Sequence, residues 1–160
     1  MINEIKNETK TLLKGHIKIV LTDEKGEVKQ ILEKDNTFMA VGDAHVADQL
    51  AATPGEAAMG WMAIGTNNTA FTTASTTLTK ELDRNALAAG YPEQGAAASD
   101  NDVIYKATWA AGDGTGALQE AGIFNSSAAG TMLAASTFAV INKGASDTLT
   151  ITWTVTCGAS

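Results

Sequence analysis

The amino-acid sequence predicts an all-β protein, an antiparallel β-sandwich or jelly roll with one short helix and an N-terminal arm. Short runs of β-forming residues recur along the chain between turn signals, which is typical of both architectures. The last run, Thr148–Thr156, alternates apolar residues with threonines, as a half-buried antiparallel strand does. The 160 residues amount to about one domain. We divide them into an arm at residues 1–14 and a sandwich domain at residues 15–160.

Apart from Met1, the arm carries four apolar residues among interleaved Lys and Glu: Ile2, Ile5, Leu12 and Leu13. So little apolar surface cannot offset the conformational entropy that the arm would lose on ordering. The segment is therefore a solvated arm or short helix, or it lies on a partner molecule that these four residues anchor. It lacks the apolar stretch of a signal peptide, so we expect a protein that stays in the cytoplasm where it is made.

The sequence after the arm predicts a β-hairpin. Three apolar residues alternate with other residues and share one face of the first strand: Ile17, Ile19 and Leu21. The segment Asp23–Gly26 forms the turn, because its glycine supplies the positive φ that hairpin loops favour. The second strand returns over Val28–Leu32.

One segment after the hairpin has helical character. Asp43 is predicted to cap a short helix that ends near Ala52. Val46 and Leu50 are four residues apart and therefore share one face of that helix. The Thr53–Gly55 segment contains a proline and a glycine, which end it.

The remainder of the chain predicts further strands, joined by loops rich in Gly, Ala and Thr. The predicted strands are Trp61–Ile64, Leu82–Leu87, Val103–Trp109, Leu118–Phe124, Met132–Val140 and Thr148–Thr156. The Gly112–Gly116 segment is a turn between two of them. Six large residues are expected to be buried: Trp109, Phe124, Phe138, Leu149, Ile151 and Trp153.

Charge and cysteine content exclude several classes of protein. The net charge is −7 and the chain has a single arginine, so it lacks the clustered cations of a nucleic-acid binder. One cysteine excludes a disulfide within the chain and a paired-cysteine metal site. One long uncharged run, Ala121–Asn142, holds Asn, Ser and Thr residues that disfavour a membrane span. It predicts two strands and a turn, and its low charge predicts that an assembly covers part of it.

No pattern in the sequence is typical of an active site. Cys157, His16 and His45 have no spacing that indicates a nucleophile and its base. Four carboxylates are available for acid–base work, and nothing marks a pair as facing a cleft: Glu81, Asp83, Glu93 and Glu120. The acidic turns at residues 100–102 and 113 lack the ligand pattern of a calcium loop. We therefore expect no catalytic activity, no cofactor and no metal.

The single arginine, Arg84, lies close to Glu81 and Asp83 in a segment with few charges. One interpretation is a solvated surface residue. The other is an arginine that carboxylates hold at a subunit contact or a sheet edge, where its planar fork binds in a bidentate manner.

Four segments with distinctive sequence motifs follow one another along the chain: Trp61–Ala70, Thr77–Arg84, Glu120–Asn125 and Asn142–Val155. They resemble the "aIGtG-t-a", "T-L--El-R", "EaGLFn" and "K--gdtltitWtv" stretches of a widespread group of virion proteins from tailed bacteriophages. The resemblance covers about residues 28–156. Asn67 stands where that group has the second glycine of the first stretch, and Asn tolerates left-handed backbone conformations.

This resemblance implies a non-enzymatic virion component with a β-sandwich or jelly-roll fold, assembled in the cytoplasm of a bacterial host. The role that fits best is a capsid decoration (cement) protein that binds the major capsid protein and stabilises the head shell. A homo-oligomer, in particular a trimer, is implied by analogy. Two alternatives stay open: a tail or baseplate adaptor or fibre protein, and a carbohydrate-binding receptor module, which would need exposed aromatic residues near a groove.

Overall fold

The computed structural model describes residues 13–158, which form ten β-strands and one α-helix. In chain order the elements are β1 (Leu13–Thr22), β2 (Val28–Asp35), β3 (Thr37–Phe38), α1 (Ala40–Gln49), β4 (Trp61–Gly65), β5 (Glu81–Ala86), β6 (Glu93–Gln94), β7 (Asp102–Trp109), β8 (Gly116–Phe124), β9 (Met132–Lys143) and β10 (Thr148–Cys157). The described part of the chain is thus mostly β with one short helix, as the sequence predicts.

The strands form two five-stranded antiparallel sheets that pack as a β-sandwich. The first sheet has the strand order β2-β1-β10-β7-β6, and the second has the order β3-β9-β8-β4-β5. The first and last strands, β1 and β10, pair continuously from Leu13 opposite Cys157 to Thr22 opposite Thr148. Each sheet has one longer edge strand, β2 in the first sheet and β5 in the second, and one edge strand of two residues.

The main hydrophobic core lies between the two sheets. The first sheet contributes Ile17, Ile19 and Leu21 from β1, and the second sheet contributes Met62 and Ile64 from β4. The expected burial of six large residues is confirmed for all of them: Trp109, Phe124, Phe138, Leu149, Ile151 and Trp153. The apolar face of each alternating strand therefore points where its sequence predicts.

A second, smaller core covers the outer face of the second sheet. It consists of Met39, Ala63, Leu78, Phe124, Met132 and Ala135. Leu78 comes from the long loop between β4 and β5, which folds over the sheet and buries it on both faces. Strands buried on both faces carry few charges. Burial within the chain therefore accounts for much of the low charge of residues 121–142, part of which is expected from the sequence to be covered in an assembly.

The N-terminal boundary of the sandwich differs from the predicted one. The first strand begins at Leu13, so Leu13 and Lys14 belong to the sheet and not to the arm. The physical reason is that β10 extends to Cys157 and offers backbone pairing partners for both residues. Leu13 is partly buried against the main core. The other proposed anchors, Ile2, Ile5 and Leu12, lie outside the described residues.

The predicted hairpin is confirmed, with β1 and β2 joined by a turn in which Gly26 has φ = 80°. The helix, in contrast, begins at Ala40, three residues before the expected cap. Met39 precedes it without a side-chain cap, and Asp43 lies in the first turn, where a carboxylate interacts favourably with the helix dipole. Gly42 faces β9 so closely that a Cβ would collide with the Leu133 backbone. Packing on β9 therefore sets where α1 begins.

The two-residue strands β3 and β6 were not predicted. Neither has room for an alternating pattern, and each is extended because it pairs with a longer strand, β9 or β7. No helix in residues 13–158 is long and apolar enough to cross a membrane.

Candidate functional site

Arg84 lies on the edge strand β5, and its guanidinium group is almost fully enclosed, with 7% of the side chain exposed. Nε and Nη2 donate to the two carboxylate oxygens of Glu81 at 2.9 and 2.7 Å, which is a bidentate pair. Nη1 donates to the backbone carbonyls of Ser126 and Ala129 at 2.8 and 2.9 Å. The guanidinium carbon lies 3.8 Å from the centre of the Phe124 ring.

This geometry corresponds to the carboxylate-held arginine at a sheet edge, rather than to the solvated one. The side chain ties β5 to the end of β8 and to the loop that connects β8 with β9. A role of Arg84 in contacts between subunits stays a prediction. Within the chain, all three guanidinium nitrogens of Arg84 already donate hydrogen bonds.

We expect Arg84→Lys to lower the free energy of unfolding by about 2 kcal/mol, because an ammonium group cannot bind Glu81 in a bidentate manner and reach both carbonyls. The measurement is urea unfolding of the purified variant. Lys80→Arg at a neighbouring exposed position is the matched control and should change stability little. An Arg84→Lys variant that unfolds at the same urea concentration as the parent would contradict the assigned contacts.

Glu120 on β8 is fully buried, and its carboxylate binds the loop that covers the second sheet. Oε2 accepts the backbone N–H of Thr79 at 2.9 Å, and Oε1 accepts that of Lys80 at 2.7 Å. Gly65 lies against this group so closely that a Cβ would collide with the carboxylate and with the Lys80 carbonyl. Irregular pairing of β8 at residues 118–120 and of β4 at residues 64–65 accompanies the arrangement.

The contacts of Glu120 and Arg84 bring together three of the four segments that carry the sequence resemblance. The first supplies Gly65, the second supplies Thr79–Arg84, and the third supplies Glu120 and Phe124. The residues that make these segments distinctive are thus engaged in hydrogen bonds and packing within the fold.

A buried lysine and aspartate organise the fourth segment. Lys143 is buried at the end of β9, and its Nζ donates to the carbonyls of Ala110 at 2.9 Å and Asp147 at 2.7 Å. The Asp147 carboxylate accepts Lys29 Nζ at 2.7 Å and the Gly144 N–H at 2.8 Å. Burial lowers the pKa of Lys143, while the negative charge of Asp147 acts in the opposite direction. Together these groups fasten the turn between β9 and β10 to the first hairpin and to the loop after β7.

The Asp147 contacts predict a loss of stability in acid. The hydrogen bond from Lys29, followed by that from the Gly144 N–H, lowers the pKa of Asp147 below its usual value of 3.8. A carboxylate with a lowered folded-state pKa stabilises the protein above the unfolded pKa, and this contribution is lost as the pH falls through the folded pKa. Asp147→Asn should therefore lose less stability than the parent between about pH 5 and pH 1. Unfolding followed by circular dichroism measures this, and Asp100→Asn, at an exposed position, should behave like the parent.

The four carboxylates considered as acid–base candidates have separate surroundings. Glu81 pairs with Arg84, and Glu120 accepts two backbone N–H groups. Asp83 accepts the N–H of Arg84, and Glu93 is exposed on β6. None of the described contacts joins two of these carboxylates.

The histidines and the cysteine lie on three different elements. His16 is on the outer face of β1, where Nδ1 is 3.2 Å from Asp35 Oδ1. His45 is buried on α1, and its Nδ1 is 2.9 Å from Glu56 Oε2. Cys157 ends β10 and is exposed. Among residues 13–158, no three His, Cys, Asp or Glu side chains are grouped in a way that could hold a metal ion.

A concavity, which we call the terminal groove, runs between α1 and the strand ends at both termini of the described chain. It encloses about 1180 Å³, and its walls include Leu13, Phe38, Val46, Leu50, Cys157 and Gly158. A smaller cavity of about 170 Å³ shares Leu13, Val46, Leu50 and Cys157 with the groove and is also lined by His45 and Tyr105. Burial raises the pKa of Tyr105 to about 12, so its phenol stays protonated at neutral pH.

Sequence reasoning missed the terminal groove and the Lys143–Asp147 pair. A signal for the pair is present, because Lys143 ends a long uncharged run and Asp147 follows within one turn. The groove has no such signal, since residues from both ends of the described chain and from α1 form its walls. Comparison of the chain with protein-family models, with curated protein sequences and with solved structures finds no match.

Proposed function

We propose that this chain is a non-enzymatic structural protein of a bacteriophage virion, a capsid decoration protein that binds the major capsid protein and stabilises the head shell. The observation that carries the proposal is the meeting of three segments of the sequence resemblance around Glu120 and Arg84. Their distinctive residues hold a loop and an edge strand on the second sheet. Residues that recur in a group of structural proteins are expected to hold the fold together, as these do. Residues that recur in a family of enzymes are expected to form a site of reacting groups.

The sheet edges support a role in an assembly. The exposed apolar residues Val28 and Ile31 lie on the edge strand β2, with 57% and 55% of their surfaces exposed, and Leu82 lies on the edge strand β5 with 44% exposed. An edge strand presents unpaired backbone groups that another chain can bind. Apolar side chains beside these groups favour a covering partner. We propose that the capsid protein and further copies of this chain, arranged as a trimer, cover these edges.

The positions of the aromatic residues favour this function over the carbohydrate-binding alternative. A sugar-binding groove needs aromatic faces that are open to solvent. Trp109, Trp153 and Phe124 are instead fully buried in the two cores, and among the described residues that line the terminal groove a single one, Phe38, is aromatic.

Counting the copies per virion by quantitative mass spectrometry tests the proposal. A decoration protein should be present in numbers on the order of hundreds, because it follows the repeated symmetry of the shell, and a tail or baseplate ring would hold roughly three to a dozen. The low number would replace the head assignment with the tail alternative. Absence of the protein from purified virions would contradict both.

Rebinding to particles stripped of the native protein should depend on the exposed edge of β2. We expect Ile31→Asp to bind at least about tenfold more weakly than the parent, because a charge in a covered apolar contact is desolvated. Val41→Asp, at an exposed position on α1, is the matched control and should bind as the parent does. Equal binding of all three proteins would exclude the β2 edge as the attachment surface.

A further inference from the structure

The terminal groove lacks a partner for its apolar walls within the described residues. Leu50, which contributes to its rim, has 83% of its surface exposed and is a large apolar residue. Val46 lies one helical turn earlier on the same wall, and Phe38 and Leu13 line the groove as well. An apolar surface of this kind on a protein is normally covered by something.

We propose that residues 1–12 of the same chain occupy the terminal groove when the protein is free in solution. The segment ends next to Leu13, which is itself part of the groove wall. No linker separates the segment from the groove, so its effective concentration there is high. This inference concerns the free protein and is independent of the proposed role in the virion.

The composition of the segment fits the walls of the groove. Ile2, Ile5 and Leu12 are spaced by three and by seven residues, which is a spacing that places side chains on one face of a helix. Ile2, Ile5 and Leu12 need an apolar surface elsewhere to offset the conformational entropy that the segment loses on ordering. The groove supplies such a surface on the chain itself.

Charged groups of both signs lie on the groove walls and in the segment, so docking allows ion pairs in addition to the apolar contacts. Two carboxylates, those of Asp35 and Asp43, line the groove together with one ammonium group, that of Lys14. The segment carries Lys6 and Lys10 between its apolar positions, alternating with Glu4 and Glu8. Ion pairs between these groups would strengthen docking at low salt, and salt would screen them.

Cys157 provides a direct measurement, because it lines the groove and is the only cysteine of the chain. The rate at which a maleimide labels Cys157 is compared between the full chain and a chain that begins at Leu13. Docking protects the thiol in proportion to the docked population, so the truncated chain should react at least about fivefold faster. Adding a synthetic peptide of residues 1–12 to the truncated chain should slow the reaction again. Equal rates for the two chains would overturn the proposal.

Substitutions in the full chain provide matched controls that do not depend on the truncation. Ile5→Asp should raise the labelling rate, whereas Asn7→Asp, which adds the same charge at a polar position, should not. Leu50→Asp changes an exposed groove residue and should raise the rate in the full chain, with little effect in the truncated one. Val140→Asp, outside the groove, should leave both rates unchanged. Labelling that is the same in Ile5→Asp and Asn7→Asp would count against the groove as the docking site.

Dilution identifies which copy supplies the segment. Docking within one chain gives a protection that is independent of protein concentration. Protection that disappears on dilution, together with a dimer mass at high concentration, would show that a second copy supplies the segment and would overturn the intramolecular assignment. Loss of protection with rising salt alone would support the ion pairs with Asp35 and Asp43. Neither result bears on the copy number per virion, so this proposal and the proposed function can fail separately.

Discussion

Replacing Trp153 with Ala is expected to lower the free energy of unfolding by about 3–5 kcal/mol. The indole is fully buried on β10 between the two sheets, and its Nε1 donates to Asn36 Oδ1 at 2.7 Å. The substitution removes a large apolar volume from the centre of the core and leaves the Asn36 amide oxygen without this donor. Because domains of this size are stable by only about 5–15 kcal/mol, this loss is a large fraction of the total free energy of unfolding.

Urea unfolding followed by circular dichroism measures this change, and two further variants separate its causes. Trp153→Phe keeps most of the apolar burial and removes the hydrogen bond, so it should cost less than Trp153→Ala. Trp61→Ala removes the same side chain from a half-buried position and should also cost less. A loss for Trp153→Ala of under about 1 kcal/mol, the size of an average substitution effect, would contradict the assigned packing.

Replacing Glu120 with Ala is expected to lower the free energy of unfolding by about 2–6 kcal/mol. The carboxylate accepts the backbone N–H groups of Thr79 and Lys80, and each buried donor left without a partner costs about 1–3 kcal/mol. Loss of this anchor should also release the loop between β4 and β5, which covers the second core through Leu78. The amides of Thr79 and Lys80 should then exchange hydrogen with solvent faster.

Glu120→Gln is the informative control for this prediction. It keeps the shape of the side chain and one acceptor, and it places an NH₂ group against the second backbone N–H. The free energy of unfolding of Glu120→Gln should therefore lie between that of the parent and that of Glu120→Ala. Glu93→Ala removes an exposed carboxylate and should be close to neutral. A Glu120→Ala variant as stable as Glu93→Ala would show that the loop is held by packing alone.

The strands with a long alternating pattern could be predicted from the sequence because their periodicity already encodes which face is buried. In β10, the apolar residues Leu149, Ile151, Trp153 and Val155 all face the core, and the threonines between them are half-buried on the other face. The hairpin of β1 and β2 was predicted for the same reason, with Gly26 marking its turn. A local pattern suffices here because side-chain direction in a strand follows from sequence position alone.

The candidate site could be predicted only in part. The sequence placed Arg84 near Glu81 and Asp83, and the bidentate pair with Glu81 agrees with one of the two interpretations offered. The carbonyls of Ser126 and Ala129 come from a loop more than forty residues away, which no local pattern indicates. From the sequence, Glu120 is one of several acidic residues. No local pattern shows that its carboxylate is buried and accepts hydrogen bonds from the backbone of a distant loop.

The sequence by itself determined the class of the fold, the longer strands, the first hairpin and the burial of the large apolar residues, because each of these depends on periodicity and turn chemistry within a few residues. Only the tertiary structure decided where α1 begins, that Leu13 joins the sheet, and that β3 and β6 are strands. It also decided which buried polar groups pair and where a groove remains. These features depend on contacts between residues distant in sequence: β9 against Gly42, β10 against Leu13, and the loop of Thr79 and Lys80 against Glu120. Their free energy comes from packing and from the need to satisfy buried polar groups, and neither quantity is defined until the sheets have assembled.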